Sequence, residues 1–100
     1  MIDIKKRPIT KDNIYVSKPR KFAVILENDD TIHYRIVENL LMNIFHRSKG
    51  EAATVARAIH ENGKGELGIY SKEIAETKVH RSRRWGVKEK VSLPIYATAV

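Results

Sequence analysis

The sequence predicts an α+β domain, a three-stranded antiparallel sheet packed against three helices in the order β-α-α-β-α-β. Two observations carry that reading. Short apolar runs at 21–27 (KFAVILE), 65–70 (GELGIY) and 93–100 (LPIYATAV) have strand length and strand composition. Between them, apolar residues recur at three- and four-residue spacing behind capping side chains, as helices require. Such helices bury their stripes by covering one face of the sheet.

The first strand, KFAVILE, is continuous enough in Val, Ile and Leu to be buried. From Tyr34 the period becomes helical, through Ile36, Val37, Leu40, Leu41, Ile44 and Phe45, over about three turns. SKGE then reads as a capping box, Ser48 as N-cap and Glu51 three residues on. It opens a second helix over 50–62 with Ala52, Val55, Ala56 and Ile59 on one face, and Gly63 as its stop. In GELGIY, Leu67 and Ile69 alternate with small or polar neighbours, predicting a shared apolar face. Ser71 caps a third helix, with Glu73 near its positive end and Ile74, Ala75, Val79 and Trp85 as its stripe. Gly86 ends that helix or lies near its end, and a basic loop leads to the last strand, where Pro94 is tolerated near the start or on an edge.

One hundred residues suffice for one small core, assigned to 21–100. Residues 1–20 hold two of the three prolines and many charges without a sustained period, and are expected to be a flexible basic extension, with one short extended piece at NIYV. The absence of cysteine excludes disulfides and thiolate metal sites. No run of about 18 apolar residues exists to cross a membrane, and the start lacks the apolar centre of a secretory signal. A cytoplasmic location is expected.

The net charge of +7 invites a nucleic-acid partner, but its distribution argues against one. Residues 1–20 carry six Lys/Arg against two Asp, and 78–90 carry six against one Glu, whereas the 57 residues between hold seven basic and nine acidic groups. A central site therefore suits a cation better than a phosphate. The basic segment KVHRSRRWGVKEK contains a single aromatic, Trp85, where a single-strand binder interleaves several.

Asn28, Asp29 and Asp30 stand between the first strand and the first helix. Residues of these types make caps and turns; alternatively, their acceptors converge on a ligand's donor. His60, at the end of the second helix, either stabilises the negative helix end or accepts a hydrogen bond as a neutral imidazole. The sequence has no HxxxH pair, no glycine-rich phosphate loop and no activated nucleophile, so neither a metal, a cofactor nor a catalytic role is expected.

FAVILENDD followed by a helix, then ARAIHENGKGELGIYSKEIAETKV, closely resembles the ClpS adaptor family over residues 21–80, with a looser continuation through LPIY. The resemblance implies a protein that is not an enzyme. Its expected task is to bind N-end rule substrates, proteins whose free first residue is Leu, Phe, Tyr or Trp, and to deliver them to a Clp AAA+ unfoldase of the ClpA or ClpC type. Asn28, Asp30 and His60 match the family's ligands for the α-amino group, and Asp29 its adjoining acid. Ile59 matches a pocket wall; Ala56 stands where a bulkier Met is common, Tyr34 where Met often forms the rim, and Ile32 where Thr is frequent. The last pocket residue is Ile95 or Leu93, with Ile95, after Pro94, the expected one. Glu73 and Lys78 match positions implicated in docking on the unfoldase, and the N-terminal extension is expected to engage it.

An ammonium presents three donors to such acceptors, and an α-amino group with a pKa of about 7.7–8.0 is largely charged near neutrality. An internal amide has no charge and one donor, so the expected site distinguishes a true chain start. The competing expectations are a small basic nucleic-acid-binding protein and a ClpS-like unfoldase modulator without cargo.

Overall fold

The computed structural model describes residues 20–100; the expected basic extension lies, apart from Arg20, outside the described residues. The chain forms β1 (Lys21–Glu27), α1 (Tyr34–Asn43), α2 (Lys49–Asn62), β2 (Lys64–Ser71), α3 (Lys72–Lys88) and β3 (Ile95–Ala99), the predicted order. β1 is the central strand of an antiparallel sheet ordered β2-β1-β3. Its continuous apolar run is explained by that position, with Ala23, Val24 and Leu26 buried.

Local chemistry sets the helix ends. Ser48 and Glu51 form the reciprocal capping box, and Gly63 closes α2 in the left-handed region at φ 88°. The Glu51 carboxylate accepts from the Ser48 N–H at 3.0 Å, a bond that holds its carboxyl below the usual value, while the Glu51 N–H donates to Ser48 Oγ at 3.2 Å. Ser71 caps α3, accepting from the Ile74 N–H. α1 is capped by neither Asn nor Asp: His33 is its N-cap, its Nδ1 accepting from the Arg35 N–H at 3.1 Å. The predicted first helix, read through Phe45, overshoots the observed one by two residues. It stops at Asn43 because His46 adopts φ 56° and the Arg47 N–H reaches back to the Leu41 carbonyl at 3.0 Å, a Schellman-type closure. Ile44 and Phe45 nonetheless remain in the core.

The expected face shared by Leu67 and Ile69 is not observed. The pairing of β1 with β2 shifts between Val24, opposite Gly68, and Ile25, opposite Glu66, leaving Leu67 as an extra residue. Such a bulge reverses the alternation. Leu67 is buried, Ile69 is 49% exposed, and Tyr70 packs on the core in its place. α1 packs on α2, α2 on β2, and α3 against all three strands. Leu40, Leu41, Ala52, Ala75 and Val79 of the helices thus meet Val24, Leu26, Leu67 and Ile95 of the sheet in one cluster. Gly65 permits the approach of α2: a Cβ there would lie 2.5 Å from Ile59 Cγ1.

Candidate functional site

The β1–α1 loop is built by its own polar side chains. Asp29 Oδ1 accepts from the Thr31 N–H at 2.9 Å and from its hydroxyl at 2.6 Å, which pulls the Asp29 carboxyl below its ordinary value. Ile32 N–H closes the turn on the Asp29 carbonyl at 2.9 Å. Asn28 Nδ2 donates to Asp30 Oδ1 at 3.0 Å, which leaves the Asn28 amide oxygen and the second Asp30 oxygen as acceptors. The loop is anchored on both sides: Asn28 N–H donates to the Gly63 carbonyl at 2.8 Å, beside the last turn of α2, and Glu27 N–H to the Pro94 carbonyl at 3.1 Å.

Those anchors create a cleft of about 560 Å³ between the loop, the start of α1, the second half of α2 and the segment before β3. Asn28, Asp29, Asp30 and His60 all line it, as do Ile32, Tyr34, Ala56 and Ile59. Ala56, Ile59 and His60 share it because residues three and four apart on a helix lie on one face. Ile59 is buried as wall, His60 is exposed, and Tyr34, 56% exposed, stacks on His33 with ring centroids 4.5 Å apart. Thr31, committed to Asp29, is not among the lining residues, whereas Ile32 is.

Ile95 requires correction. It does not line the cleft; it enters the sheet opposite Leu26 and is 2% exposed in the core, while Leu93 occupies the cleft. The reason lies in the α3–β3 connection. Lys90 takes φ 63° and Val91 N–H returns to the Gly86 carbonyl at 2.9 Å, so the chain doubles back before Pro94. Leu93, not the first strand residue, is thereby carried to the end of β1. The residue reading also passed over Leu26, Val37, Glu38, Ala53 and Arg57, which line the cleft as well. Helical spacing could have found most of them: Val37 and Glu38 follow Tyr34 by three and four, and Ala53 precedes Ala56 by three.

Glu73 and Lys78 lie on α3, outside the cleft. Glu73 is exposed in the first turn. The Lys78 ammonium donates to the Ile44 carbonyl at 2.8 Å and sits 5.7 and 5.8 Å from the ring centroids of Phe45 and Tyr70. Burial, and then the charge of Arg81, lower its pKa. Among the described residues, no group of three His, Cys, Asp or Glu is placed to hold a metal, and no helix is long and apolar enough to cross a membrane.

The family model described as ATP-dependent Clp protease adaptor protein ClpS matches residues 17–96 of this small α+β domain. The chain belongs to the ClpS family. It is 44% identical over 75 residues to the ATP-dependent Clp protease adapter protein ClpS of Nitratidesulfovibrio vulgaris (strain Miyazaki F), covering 71% of this chain and 75% of that protein. The ClpS of Wolinella succinogenes is 42% identical over 74 residues, covering 74% and 72%. The fold is similar to the structure of Agrobacterium tumefaciens ClpS2 bound to L-phenylalaninamide, with a TM-score of 0.79 and 24% identity over 83% of this chain and 100% of that one. The chain is thus an adaptor of Clp protease and not an enzyme.

Proposed function

We propose that this adaptor reads the free N-terminus of N-end rule substrates and hands them to a Clp AAA+ unfoldase of the ClpA or ClpC type. One observation carries the reading. A single cleft has acceptors at its mouth, on Asn28, Asp30 and His60, and apolar walls from Ile32, Val37, Ala56, Ile59 and Leu93. The protonated α-amino group donates to the mouth, and each charge-assisted bond contributes about 1.5–3 kcal/mol. The first side chain enters the walls, worth roughly another 1.5–3 kcal/mol. After the entropy of immobilisation, micromolar affinity results, about −8 kcal/mol, which lets cargo be released. The ligand of the Agrobacterium tumefaciens neighbour, L-phenylalaninamide, has these two parts, an α-amino group and a large apolar side chain.

Asp29 positions the loop through its Oδ1, which accepts both Thr31 bonds, and it also lines the cleft. Small Ala56 leaves the cleft wide, so Phe, Tyr and Trp are accepted as well as Leu. Glu73 is the proposed exposed contact to the unfoldase, with Lys78, farther along the same helix, as the second. Degradation of a reporter beginning with Phe, by a purified Clp unfoldase and peptidase, tests delivery. This chain should accelerate it, and should leave the same reporter with an acetylated start unaffected. Equal acceleration of both reporters would contradict the proposal.

A further inference from the structure

The second half of α3 carries a feature that the cleft does not use. Arg81, Arg84 and Lys88 rim a groove of about 190 Å³ floored by Ile44 and Trp85. The three cations follow one another at three- and four-residue spacing, so they share a helix face, where like charges cost a few tenths of a kcal/mol per pair. The fold gives no return for all of that cost. Lys88 is in the last turn, where a cation complements the helix dipole, but Arg81 lies about two turns earlier, beyond its reach. Neighbouring cations are engaged in the fold: Arg83 Nη2 donates to the Ile95 carbonyl and Arg47 Nη2 to the Leu67 carbonyl, each at 2.8 Å, and Lys78 holds Ile44. Arg81, Arg84 and Lys88 make no side-chain hydrogen bond to another described residue, and all three are exposed.

We propose that this groove docks an acidic segment of a partner protein, with one apolar side chain of that segment seated between Ile44 and Trp85. Charge sets the sign of the partner: the rim holds three cations and no carboxylate. Size sets its class. The groove is below the roughly 300–1,000 Å³ of small-molecule pockets, and suits a single side chain. A nucleic acid is the poorer fit, because a strand binder presents a succession of stacking faces. Here one ring lines the groove, and it is half-buried against the core. The groove lies along α3 beyond Lys78, and it is independent of the reading of the cleft.

Trp85 is the single tryptophan of the chain, so its emission reports on the groove directly. The probe is the acetylated, amidated peptide Asp-Asp-Phe-Glu-Asp, whose blocked start has no ammonium for the cleft. It should produce a saturable change in Trp85 emission that weakens with added salt. Its twin with Lys in place of each acid should produce none. Arg84→Glu and Arg81→Glu, each checked for an unchanged melting temperature, should weaken the acidic peptide by about tenfold or more. Absence of a saturable change, retention of full affinity by both variants, or tighter binding of decathymidylate than of the peptide would overturn the proposal.

Discussion

Asp29 and Asp30 are adjacent carboxylates with different work. Asp29 is tied to Thr31 by two bonds at its Oδ1 and so shapes the loop, whereas the exposed Asp30 accepts only from the Asn28 amide. Asp30→Ala, Asn28→Ala and His60→Ala should each weaken a peptide beginning with free Leu by about tenfold or more, the loss of a charge-assisted bond. The same variants should leave its acetylated twin unchanged in a calorimetric titration. The pH dependence follows from the same groups. The Asp29 carboxyl lies below its ordinary 3.8, so the order it lends the loop is complete above that value and lost as pH falls through the lowered one. Above about pH 8 the ligand's own amine loses its charge. Affinity measured across this range should therefore pass through a maximum. Ala56→Met tests the breadth of the cleft: peptides beginning with Trp should lose more affinity than those beginning with Leu.

Among the elements, α3 and β2 carry the sharpest tests. Lys78 secures the end of α1 through the Ile44 carbonyl. Lys78→Ala should lower stability by about 1 kcal/mol, below the roughly 1.5–3 of a charged hydrogen bond because the side chain is only half-buried and partly screened. Denaturant melts will show it. The sign of its titration is also set: a lysine with a lowered folded pKa contributes rising stability as pH climbs towards 10.5. Loss of docking in a Lys78 variant must then be separated from loss of fold, whereas Glu73, exposed, gives a clean test. Gly65→Ala forces a Cβ onto Ile59 and should cost about 1–3 kcal/mol while narrowing the cleft. A smaller penalty for peptides beginning with Leu than for those beginning with Trp will register the narrowing.

For the molecule as a whole, the order of elements was legible because each boundary has local chemistry. Ser48 with Glu51, Gly63 and Ser71 specify their ends through side chains and backbone freedom within a few residues. Long-range effects were not legible. The bulge at Leu67 depends on β1, so the period of two in GELGIY misplaced Ile69. Leu93 reaches the cleft only because the chain doubles back at Lys90, a non-glycine residue at positive φ, and Ile95 could not be told from it by spacing. The identity of the α1 cap was hidden for a related reason: His33 does the capping, which leaves Asn28, Asp29 and Asp30 to the loop. Spare polar residues between a strand and a helix were thus the readable trace of the cleft.

The claim on which the account rests is that the cleft selects a charged chain start together with a large first side chain. Calorimetry of one Phe-initiated peptide, free and acetylated, against the full chain tests it most directly. The account predicts micromolar binding of the free peptide and at least a hundredfold weaker binding of the acetylated one, about 2.8 kcal/mol. Equal affinities for the two would contradict it.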